Sequence, residues 1–361
     1  SGVVRSFGVN TEAVMRAAAE HINKNGGVKL GDGTTGMIKV TFDDDRCNAE
    51  EGISVLRRIG STDAVVAVGP TCSNVAEPLF GILQKTVDDA SDSGLQMPIF
   101  TDTAIKGGLA KISQWAFRTV PNSRVLYTPM FEWLPGQTAE LTTIYGGVEE
   151  DFAHSRFTWY KVMKTRSAEA GLDVVGESKW LLNDTNFSTQ VREMKKAKAD
   201  VIAISAHPFT TCGVLKEMKR QGVKPKLLIG LTSSSSLETL QGCAKQAEGI
   251  IIPTSFAPVT PDAKAAADAA AAKGGSADLH SAAAWEIMMV LKDVIEAKGV
   301  MAKPDTVQAD RRAIRDGLAD LKSTPGLLGE IMRTPEGEAT KPYVYVHAKD
   351  GTWAVLHKPG S

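Results

Sequence analysis

The sequence lacks the features that mark several large classes of protein. Its 361 residues contain no apolar run close to the roughly 18 residues of a membrane span. Lys and Arg total 41 against 42 Asp and Glu, so the formal net charge is −1. This balance gives no electrostatic reason to expect nucleic acid or a membrane surface as a partner. The chain shows no signal peptide, and we expect that one was removed if the protein is secreted.

The motifs of common α/β enzymes are also missing. No Gly-x-Gly-x-x-Gly run follows a predicted strand, and neither a Gly-x-x-x-x-Gly-Lys-Ser/Thr loop nor a Gly-x-Ser-x-Gly elbow occurs. The 4 cysteines form no Cys-x-x-Cys pair, and the 6 histidines have no zinc-ligand spacing. The sequence therefore predicts no enzyme, no metal and no cofactor.

Two polar runs could imitate catalytic or metal sites. Asp43-Asp44-Asp45 has the composition of a metal cluster, but consecutive residues at a strand end point to alternate sides and do not converge on one ion. Capping or hydrogen bonding at a lobe edge is the favoured interpretation. Ser233–Ser236 has no base nearby, and we expect a flexible polar loop there.

What the sequence does contain is a repeated pattern of short apolar strand, turn and amphipathic helix. Met37–Phe42 alternates like a strand, Ala49–Ile59 has apolar residues at helical spacing, and Ala64–Val68 is a short strand that ends at Gly69-Pro70. A second series of the same plan occupies residues 121–250. This alternation is typical of parallel sheets covered by helices on both faces, so we expect two doubly wound lobes.

The last third of the chain departs from this plan. Pro253–Pro261 is rich in Pro and Thr and is predicted to be a crossing or surface loop, and helices are predicted near Ala263–Ala272 and His280–Ala297. The chain ends in a predicted β-hairpin with a turn at Asp350-Gly351.

The turn Gly69–Asn74 is a candidate binding element. It follows a strand and precedes a helix, so it presents backbone N–H groups and the Ser73 hydroxyl toward a carboxylate, aided by the helix dipole. Ser73 could equally be a helix cap, and the sequence leaves both interpretations open.

Nine short segments follow one another in a characteristic order along the whole chain. They are Ser1–Gly8, Ile22–Val28, Phe42–Asn48, Val68–Ser73, Met97–Phe100, Phe117–Thr119, Glu150–Ser155, Asp184–Phe187 and Gln246–Gly249. In this order and spacing they resemble the leucine/isoleucine/valine-binding proteins, which are type I periplasmic binding proteins and serve ABC importers.

The resemblance implies an α/β fold of two doubly wound parallel-sheet lobes joined by a three-stranded hinge. Lobe 1 would comprise residues 1–120 and 250–330, and lobe 2 residues 121–249 and 331–361. The hinge crossings would lie near residues 118–122, 248–254 and 325–335. Members of the family have a strand just before the position of Ser1, so we expect the first strand of lobe 1 to be missing, with a slot in its core.

The resemblance also bears on the cysteines, for which arithmetic alone leaves three full pairings and the free-thiol state open. Cys47 and Cys72 occupy the positions of the family's single disulfide, which would stabilise the protein by roughly 3–4 kcal/mol. Cys212 and Cys243 have no such precedent and are expected to be free thiols, with a second bridge left open.

Ligand contacts are carried over position by position. The implied set is Phe7, Cys72, Ser73, Thr103, Ala104, Ile105, Phe152, His207 and Phe209. Cys72 and Ser73 match the residues that hold a ligand carboxylate. Ile105 stands where amino-acid binders have a threonine for the ligand's ammonium, and no acidic partner is identified in the second lobe. Because an unpaired buried ammonium is costly, the expected ligand is a small carboxylate with an apolar or aromatic body, amino acid or not.

The implied function is that of a solute-binding receptor, not an enzyme. It would capture its small-molecule ligand by hinge closure and dock, as a monomer, on an inner-membrane ABC permease. The implied location is periplasmic, or that of an extracytoplasmic lipoprotein. The alternative is a sensory or regulatory ligand-binding domain on the same fold, similar to the amide sensors.

Overall fold

The structure is a computed structural model that describes residues 1–2, 4–137, 140–334 and 337–359. Some predictions made above fall partly on other positions. Three groups of residues lie outside the described ones: Val3 in the opening segment, Pro335 in the third predicted hinge crossing, and Thr138, Ala139, Glu336, Gly360 and Ser361 in the predicted lobe 2.

Helices and strands alternate through most of the chain. The helices are α1 (Arg5–Lys24), α2 (Ala49–Gly60), α3 (Ser73–Gly81), α4 (Ser123–Trp133), α5 (Ala153–Thr158), α6 (Lys164–Glu169), α7 (Ser188–Ala197), α8 (Pro208–Gln221), α9 (Leu237–Ala247), α10 (Pro261–Ala272), α11 (Leu279–Lys298) and α12 (Val307–Asp320). The strands are β1 (Val28–Lys29), β2 (Thr35–Gly36), β3 (Ala67–Val68), β4 (Ile99–Thr101), β5 (Ala116–Arg118), β6 (Thr143–Glu149), β7 (Asp173–Trp180), β8 (Val201–Ser205), β9 (Leu227–Gly230), β10 (Ile251–Thr254), β11 (Ser323–Gly326), β12 (Gly329–Arg333), β13 (Ala339–Thr340), β14 (Val344–Lys349) and β15 (Thr352–His357). None of the described helices is long and apolar enough to cross a lipid bilayer.

Several helix ends are set by local sequence. Asn48 accepts a hydrogen bond from the Glu51 N–H at the start of α2. Asp278 accepts from the first N–H groups of α11 in a capping box, and Pro208 opens α8 without losing a helical hydrogen bond. Gly222 ends α8 with φ of 71°, a left-handed conformation that glycine adopts without strain.

The chain forms two compact units, each built from two segments. Unit 1 comprises Ser1–Pro121 and Pro258–Pro342, and unit 2 comprises Asn122–Ala257 and Tyr343–Ser361. The chain therefore passes three times between the units. The predicted α/β class with two doubly wound lobes is confirmed.

Unit 1 is built around a parallel sheet of β3, β4 and β5, in which Phe100 pairs with Val68 and Phe117. Successive residues of β4 enter different cores. Ile99 packs in a cluster with Leu56 of α2 and Leu79 of α3. Phe100 packs in another with residues of α11 and α12. Helices thus cover both faces, as the continuous apolar strands require.

The prediction of a strand at Met37–Phe42 is wrong. The segment forms no strand, because among the described residues it pairs with no other segment. Ile38, Val40 and Phe42 instead pack, partly buried, against a cluster that includes residues of α1. Residues of this segment and of β3 line one cavity of about 690 Å³.

Unit 2 contains one seven-stranded sheet in the order β15-β14-β10-β9-β8-β6-β7. The five strands from β10 to β7 are parallel, and β14 and β15 complete the sheet as an antiparallel edge. Alternate residues of β8 again pack in two different cores. Ile202 and Ile204 lie in one, and Val201 and Ala203 lie in the other. The predicted terminal hairpin is β14 and β15.

The boundaries between the units differ from those expected. Residues 250–257 belong to unit 2, because β10 pairs with β9 on one side and β14 on the other. The described residues of 331–342 belong to unit 1, because β12 and β13 continue the antiparallel sheet that β11 begins. Backbone pairing, which single-sequence patterns do not specify, sets both boundaries.

Two disulfides are present. Cys47–Cys72 joins Cα atoms 5.7 Å apart, as the resemblance implied. Cys212 and Cys243 are also bonded, so the expectation that they are free thiols is wrong. They lie on the packed helices α8 and α9 with their Cα atoms 5.4 Å apart, a proximity that follows from tertiary packing.

Candidate functional site

Loops that follow parallel strands at the carboxyl edge of a sheet are the usual place for ligands in open α/β folds. In unit 1 the loops after β3 and β4 meet at this edge. The first leads from Gly69 into α3, and the second carries Asp102–Ile105.

Ser73 is the first helical residue of α3 and is 2% exposed. Cys72 occupies the N-cap position without a side-chain capping bond. Because Cys72 is the N-cap, Ser73 is not the helix cap, and its hydroxyl oxygen accepts from the Lys106 N–H at 3.2 Å. The N-terminal turn of a helix favours anions, and the disulfide to Cys47 tethers this turn.

Asp102 follows β4 and is 1% exposed. Its Oδ2 accepts hydrogen bonds from the hydroxyls of Thr11, at 3.1 Å, and Thr71, at 3.0 Å. Burial raises the pKa of this carboxyl to about 6, because the threonine hydrogen bonds offset only part of the desolvation. The sequence analysis did not identify Asp102, whose partners lie far from it along the chain.

The segment after Asp102 is held by its own contacts within unit 1. The Thr103 hydroxyl donates to the Thr71 carbonyl at 3.2 Å. The Ala104 carbonyl accepts from the Arg118 guanidinium. Ile105 is buried and offers no hydroxyl. The Ala104 carbonyl therefore already accepts a hydrogen bond from a guanidinium, which is itself paired with Glu338 at 3.0 Å.

Phe7 lies in the first turn of α1 and stacks on His280, with ring centroids 4.2 Å apart and planes 9° apart. Both rings are buried. His280 is the second residue of α11, and the capping residue Asp278 accepts from its N–H at 2.8 Å. The sequence predicted Phe7 but not its partner.

In unit 2 the corresponding edge carries a buried pair of a carboxylate and a histidine. Glu149 ends β6 and is 0% exposed; His207 follows β8 and is 3% exposed. Their Oε1 and Nδ1 atoms are 2.5 Å apart, and the Thr210 hydroxyl donates to Oε2 at 2.6 Å. Burial raises the pKa of Glu149, but the charge and hydrogen bonds of His207 outweigh it, so the pKa lies below its ordinary value.

Aromatic and hydroxyl groups surround this pair. Phe152 lies 4.2 Å from His207, and His154 5.8 Å from it, between ring centroids. The Ser233 hydroxyl is 3.1 Å from His154 Nδ1. Ser233 belongs to the turn Thr232–Ser235, which is buried, so the expectation of a flexible polar loop here is wrong.

The structure gathers most of the predicted residues into two groups. Cys72, Ser73, Thr103, Ala104 and Ile105 lie at the carboxyl edge of unit 1, and Phe152 and His207 at that of unit 2. Phe209 lies on α8 with 50% of its surface exposed.

The sequence analysis did not identify Glu149 or His154, and it assigned Ser233 to a loop with no base nearby, whereas His154 Nδ1 lies 3.1 Å from the Ser233 hydroxyl. Their shared signal is position: each stands at or just after the end of a predicted or observed strand. The sequence analysis identified no acid in lobe 2 that could neutralise a ligand ammonium. The structure places Glu149 there, and its carboxylate is bonded to His207.

The Asp43–Asp45 run makes separate hydrogen bonds. Asp44 accepts from the Ser1 amino group at 3.0 Å and from the Arg46 N–H at 2.9 Å. Asp45 accepts from the Cys47 N–H at 2.8 Å. The favoured interpretation of this run as hydrogen-bonding residues is confirmed.

Two α/β units connected by three chain crossings, each with polar groups at the carboxyl edge of its parallel sheet, define a class of bilobal ligand-binding proteins. The chain belongs to the periplasmic binding protein family, whose sequence model matches it over residues 1–352. The resemblance found in the sequence is confirmed.

Individual relatives agree with this assignment. The chain is 25% identical over 345 residues to the Leu/Ile/Val-binding protein BraC3 of Rhizobium johnstonii, which covers 94% of this chain and 86% of that protein. Its fold is similar to that of the branched-chain amino acid transporter substrate binding protein LivJ from Streptococcus pneumoniae in complex with isoleucine, with a TM-score of 0.81, 19% identity, and coverage of 99% of this chain and 97% of that one.

A second solved structure carries a different ligand. It is a solute binding protein of an ABC transporter from R. palustris in complex with 4-hydroxybenzoate, with a TM-score of 0.81, 19% identity, and coverage of 99% of this chain and 94% of that one. The relatives are thus solute-binding proteins rather than enzymes, and their ligands range from an amino acid to an aromatic acid.

Proposed function

We propose that this protein is the solute-binding receptor of an ABC importer and that it captures a small carboxylate with an apolar or aromatic body. The observation that carries the proposal is the N-terminal turn of α3. There the buried Ser73 and the first helical N–H groups lie at the carboxyl edge of a parallel sheet, an arrangement suited to a carboxylate.

The remaining predicted contacts fit the apolar part of such a ligand. Phe7, Ile105 and Phe152 are buried aromatic or aliphatic side chains, and Phe209 presents an exposed ring. Ile105 and the bond between Ala104 and Arg118 remove two groups that would bind an ammonium. These features favour a carboxylic acid at least as strongly as an α-amino acid, and both classes occur among the relatives.

Two disulfides support an extracytoplasmic location, since such bonds persist in oxidising compartments. We infer a periplasmic protein or an extracytoplasmic lipoprotein, acting as a monomer with an inner-membrane ABC permease as its partner. Capture would proceed by closure of the two units about the three chain crossings, driven by ligand contacts worth several kcal/mol.

The proposal is tested by identifying ligands directly. Mass spectrometry of the protein purified under native conditions should find a bound small carboxylate. Thermal shift with leucine, isoleucine, benzoate and 4-hydroxybenzoate should raise the melting temperature for at least one compound, and the compound should remain chemically unchanged. Turnover of any of them, or no stabilisation by any small carboxylate, would contradict the proposal.

Replacing Ser73 by alanine tests the site itself. If the Ser73 hydroxyl holds the carboxylate, S73A should weaken binding by about 1–3 kcal/mol, because one hydrogen bond to a charged group is lost. Isothermal titration with the best ligand measures this. The matched control is Ser91→Ala, at an exposed serine of unit 1, which should leave the affinity unchanged.

A further inference from the structure

Asp102 lies beside the turn that begins α3, the element on which the proposed function depends. Its Oδ2 accepts from the hydroxyl of Thr71, which immediately precedes the N-cap Cys72. We propose that Asp102 links the capture of a carboxylate at this turn to the uptake of one proton, so that the ligand binds more tightly in a mildly acidic than in an alkaline medium. This inference rests on the proposed function, since it concerns the regulation of the same site.

The first step concerns the place of Asp102. The loop that carries it is joined to the turn by further hydrogen bonds: the Thr103 hydroxyl donates to the Thr71 carbonyl and the Lys106 N–H to the Ser73 hydroxyl, both at 3.2 Å. Ser73 follows Thr71 by two residues, a span of at most about 7 Å. The Asp102 carboxyl therefore lies close to the first helical N–H groups. It acts on them through Thr71 and through space, so it is a positioning residue and not a ligand contact.

The second step concerns the charge of Asp102, which is 1% exposed. Oδ2 accepts from the hydroxyls of Thr11 and Thr71, whereas Oδ1 has no hydrogen-bond partner among the described residues. A buried carboxylate with one oxygen left without a donor holds a proton more tightly than a carboxylate in water, and the pKa of Asp102 is raised to about 6. The charge of Asp102 therefore changes within the mildly acidic range.

The third step concerns the coupling between Asp102 and the ligand. A carboxylate held by the first N–H groups of α3 places a second negative charge near Asp102. Two like charges in a poorly hydrated site repel each other, and protonation of one relieves the repulsion. As the ligand binds, a proton passes from the solvent to the Asp102 carboxylate, and by linkage the protonated protein binds the ligand more tightly by the same factor. The affinity is therefore highest below about pH 6 and falls as the pH rises through and beyond this value.

Other charged or titratable side chains lie on the elements around Asp102. They include Arg5 and Glu12 on α1, Asp45 before α2, Lys106 in the same loop, Arg118 on β5, and Asp278 and His280 at the start of α11. Burial raises the pKa of Asp45 and of Asp278 as well. The main causes of the raised pKa of Asp102 are burial and the hydrogen bonds that oppose it, and none of these charges is among them. Any pH dependence that they contribute is also present when Asp102 alone is replaced, so such a variant isolates its effect.

The pH dependence of binding gives the first test. Isothermal titration is carried out between pH 5.5 and 8 with the tightest binder among leucine, isoleucine, benzoate and 4-hydroxybenzoate, all of which keep their charge over this range. We expect the affinity of the wild type to fall at least threefold from pH 5.5 to 8. Titrations at pH 6.5 in two buffers with different heats of ionisation should show that the protein takes up protons from the buffer on binding.

Asp102→Asn should abolish both effects. Its amide oxygen can still accept from Thr11 and Thr71, but the side chain never ionises. The affinity of the variant should therefore vary less than twofold across the series, and at pH 8 it should exceed that of the wild type at least threefold. A merely structural loss would weaken binding at every pH. The matched control is Asp320→Asn, at an exposed acid of α12 paired with Lys298, which should keep the pH dependence of the wild type.

Thr11→Val tests Asp102 without altering it or the α3 turn. Thr11 lies on α1, and its hydrogen bond to Oδ2 stabilises the charged form of the carboxyl. Removing this bond should move the midpoint of the fall in affinity to higher pH, whereas Thr11→Ser, which keeps a hydroxyl, should leave the midpoint near that of the wild type. This pair of variants keeps the inference testable if Asp102→Asn fails to fold.

The outcomes separate the inference from the function beneath it. A wild-type affinity that is constant between pH 5.5 and 8, or one that falls equally in Asp102→Asn, overturns the inference while the protein remains a solute receptor. Equal midpoints in folded Thr11→Val and Thr11→Ser overturn it as well. If none of the four compounds binds at any pH, the proposed function itself fails, and the inference fails with it.

Discussion

At the scale of single residues, Asp102 should make the free energy of unfolding depend on pH. Its pKa is raised to about 6 in the folded protein, against an ordinary value of 3.8. The folded state therefore holds the proton more tightly than the unfolded chain, and the contribution of Asp102 is complete below about pH 4 and is lost as the pH rises to about 6. We expect Asp102→Asn to remove this loss, so that the variant gains on the wild type by about 3 kcal/mol at most between these limits.

Urea unfolding at a series of pH values from 2 to 7 measures the effect, because Asp102 changes between about pH 4 and 6 and Asp200 below about pH 4. Asp200→Asn is the matched control with the opposite sign. Hydrogen bonds from Lys226 and Thr142 lower the pKa of Asp200, so its contribution is present at neutral pH and is lost as the medium becomes acidic. A constant difference between Asp102→Asn and the wild type across the series would show that Asp102 titrates normally.

At the scale of elements, the bond between α8 and α9 is the testable feature. The Cys212–Cys243 disulfide closes a loop with a sequence separation of 31. On the chain-entropy model, removing it should lower the free energy of unfolding by about 3–4 kcal/mol. Replacing both cysteines by alanine and measuring urea unfolding without reductant tests this.

Reduction supplies the control for that variant. With reductant present in both samples, the wild type loses its Cys212–Cys243 bond, and Cys47–Cys72 opens equally in both proteins. The difference in the free energy of unfolding between the double variant and the wild type should therefore nearly vanish. Alkylation of the denatured, unreduced protein should label none of the 4 cysteines. Labelling of Cys212 or Cys243 would contradict the second bridge.

The elements also show what a single sequence can specify. The strand Val201–Ser205 was predictable because every residue is apolar or small and both faces are buried. Met37–Phe42 alternates clearly but forms no strand among the described residues, since pairing depends on a neighbouring strand that the pattern does not specify. The same limit explains why Cys212 and Cys243 were assigned as thiols.

The candidate site divides in the same way. Ser73 could be found from local sequence, because a strand, a turn and a helix start lie next to one another there. Asp102 and Glu149 could not, since Thr11 bonds Asp102 across 91 residues and Thr210 bonds Glu149 across 61. Buried polar groups acquire their partners through tertiary structure, and their roles follow from those partners.

At the scale of the whole molecule, two buried ion pairs of unit 1 lie close in sequence to points where the chain leaves that unit. Arg118 pairs with Glu338, and Lys341 with Glu286, shortly before the first and third crossings. The side chains of Lys341 and Glu286 are 3% and 2% exposed. Glu286 also accepts from the Leu327 N–H at 2.9 Å, so it joins the last segment of unit 1 to α11.

Lys341→Met should therefore leave Glu286 buried without its cation and lower the free energy of unfolding by about 3–5 kcal/mol. Adding Glu286→Gln to this variant should restore much of the loss, because the uncompensated charge is removed while the hydrogen bond to Leu327 can remain. Urea unfolding of the wild type, both single variants and the double variant gives the coupling between the two residues. The control is Lys196→Met, which breaks an exposed pair with Glu193 and should cost about 1 kcal/mol or less. Equal losses in Lys341→Met and Lys196→Met would mean that the buried pair does not hold the third crossing segment to unit 1.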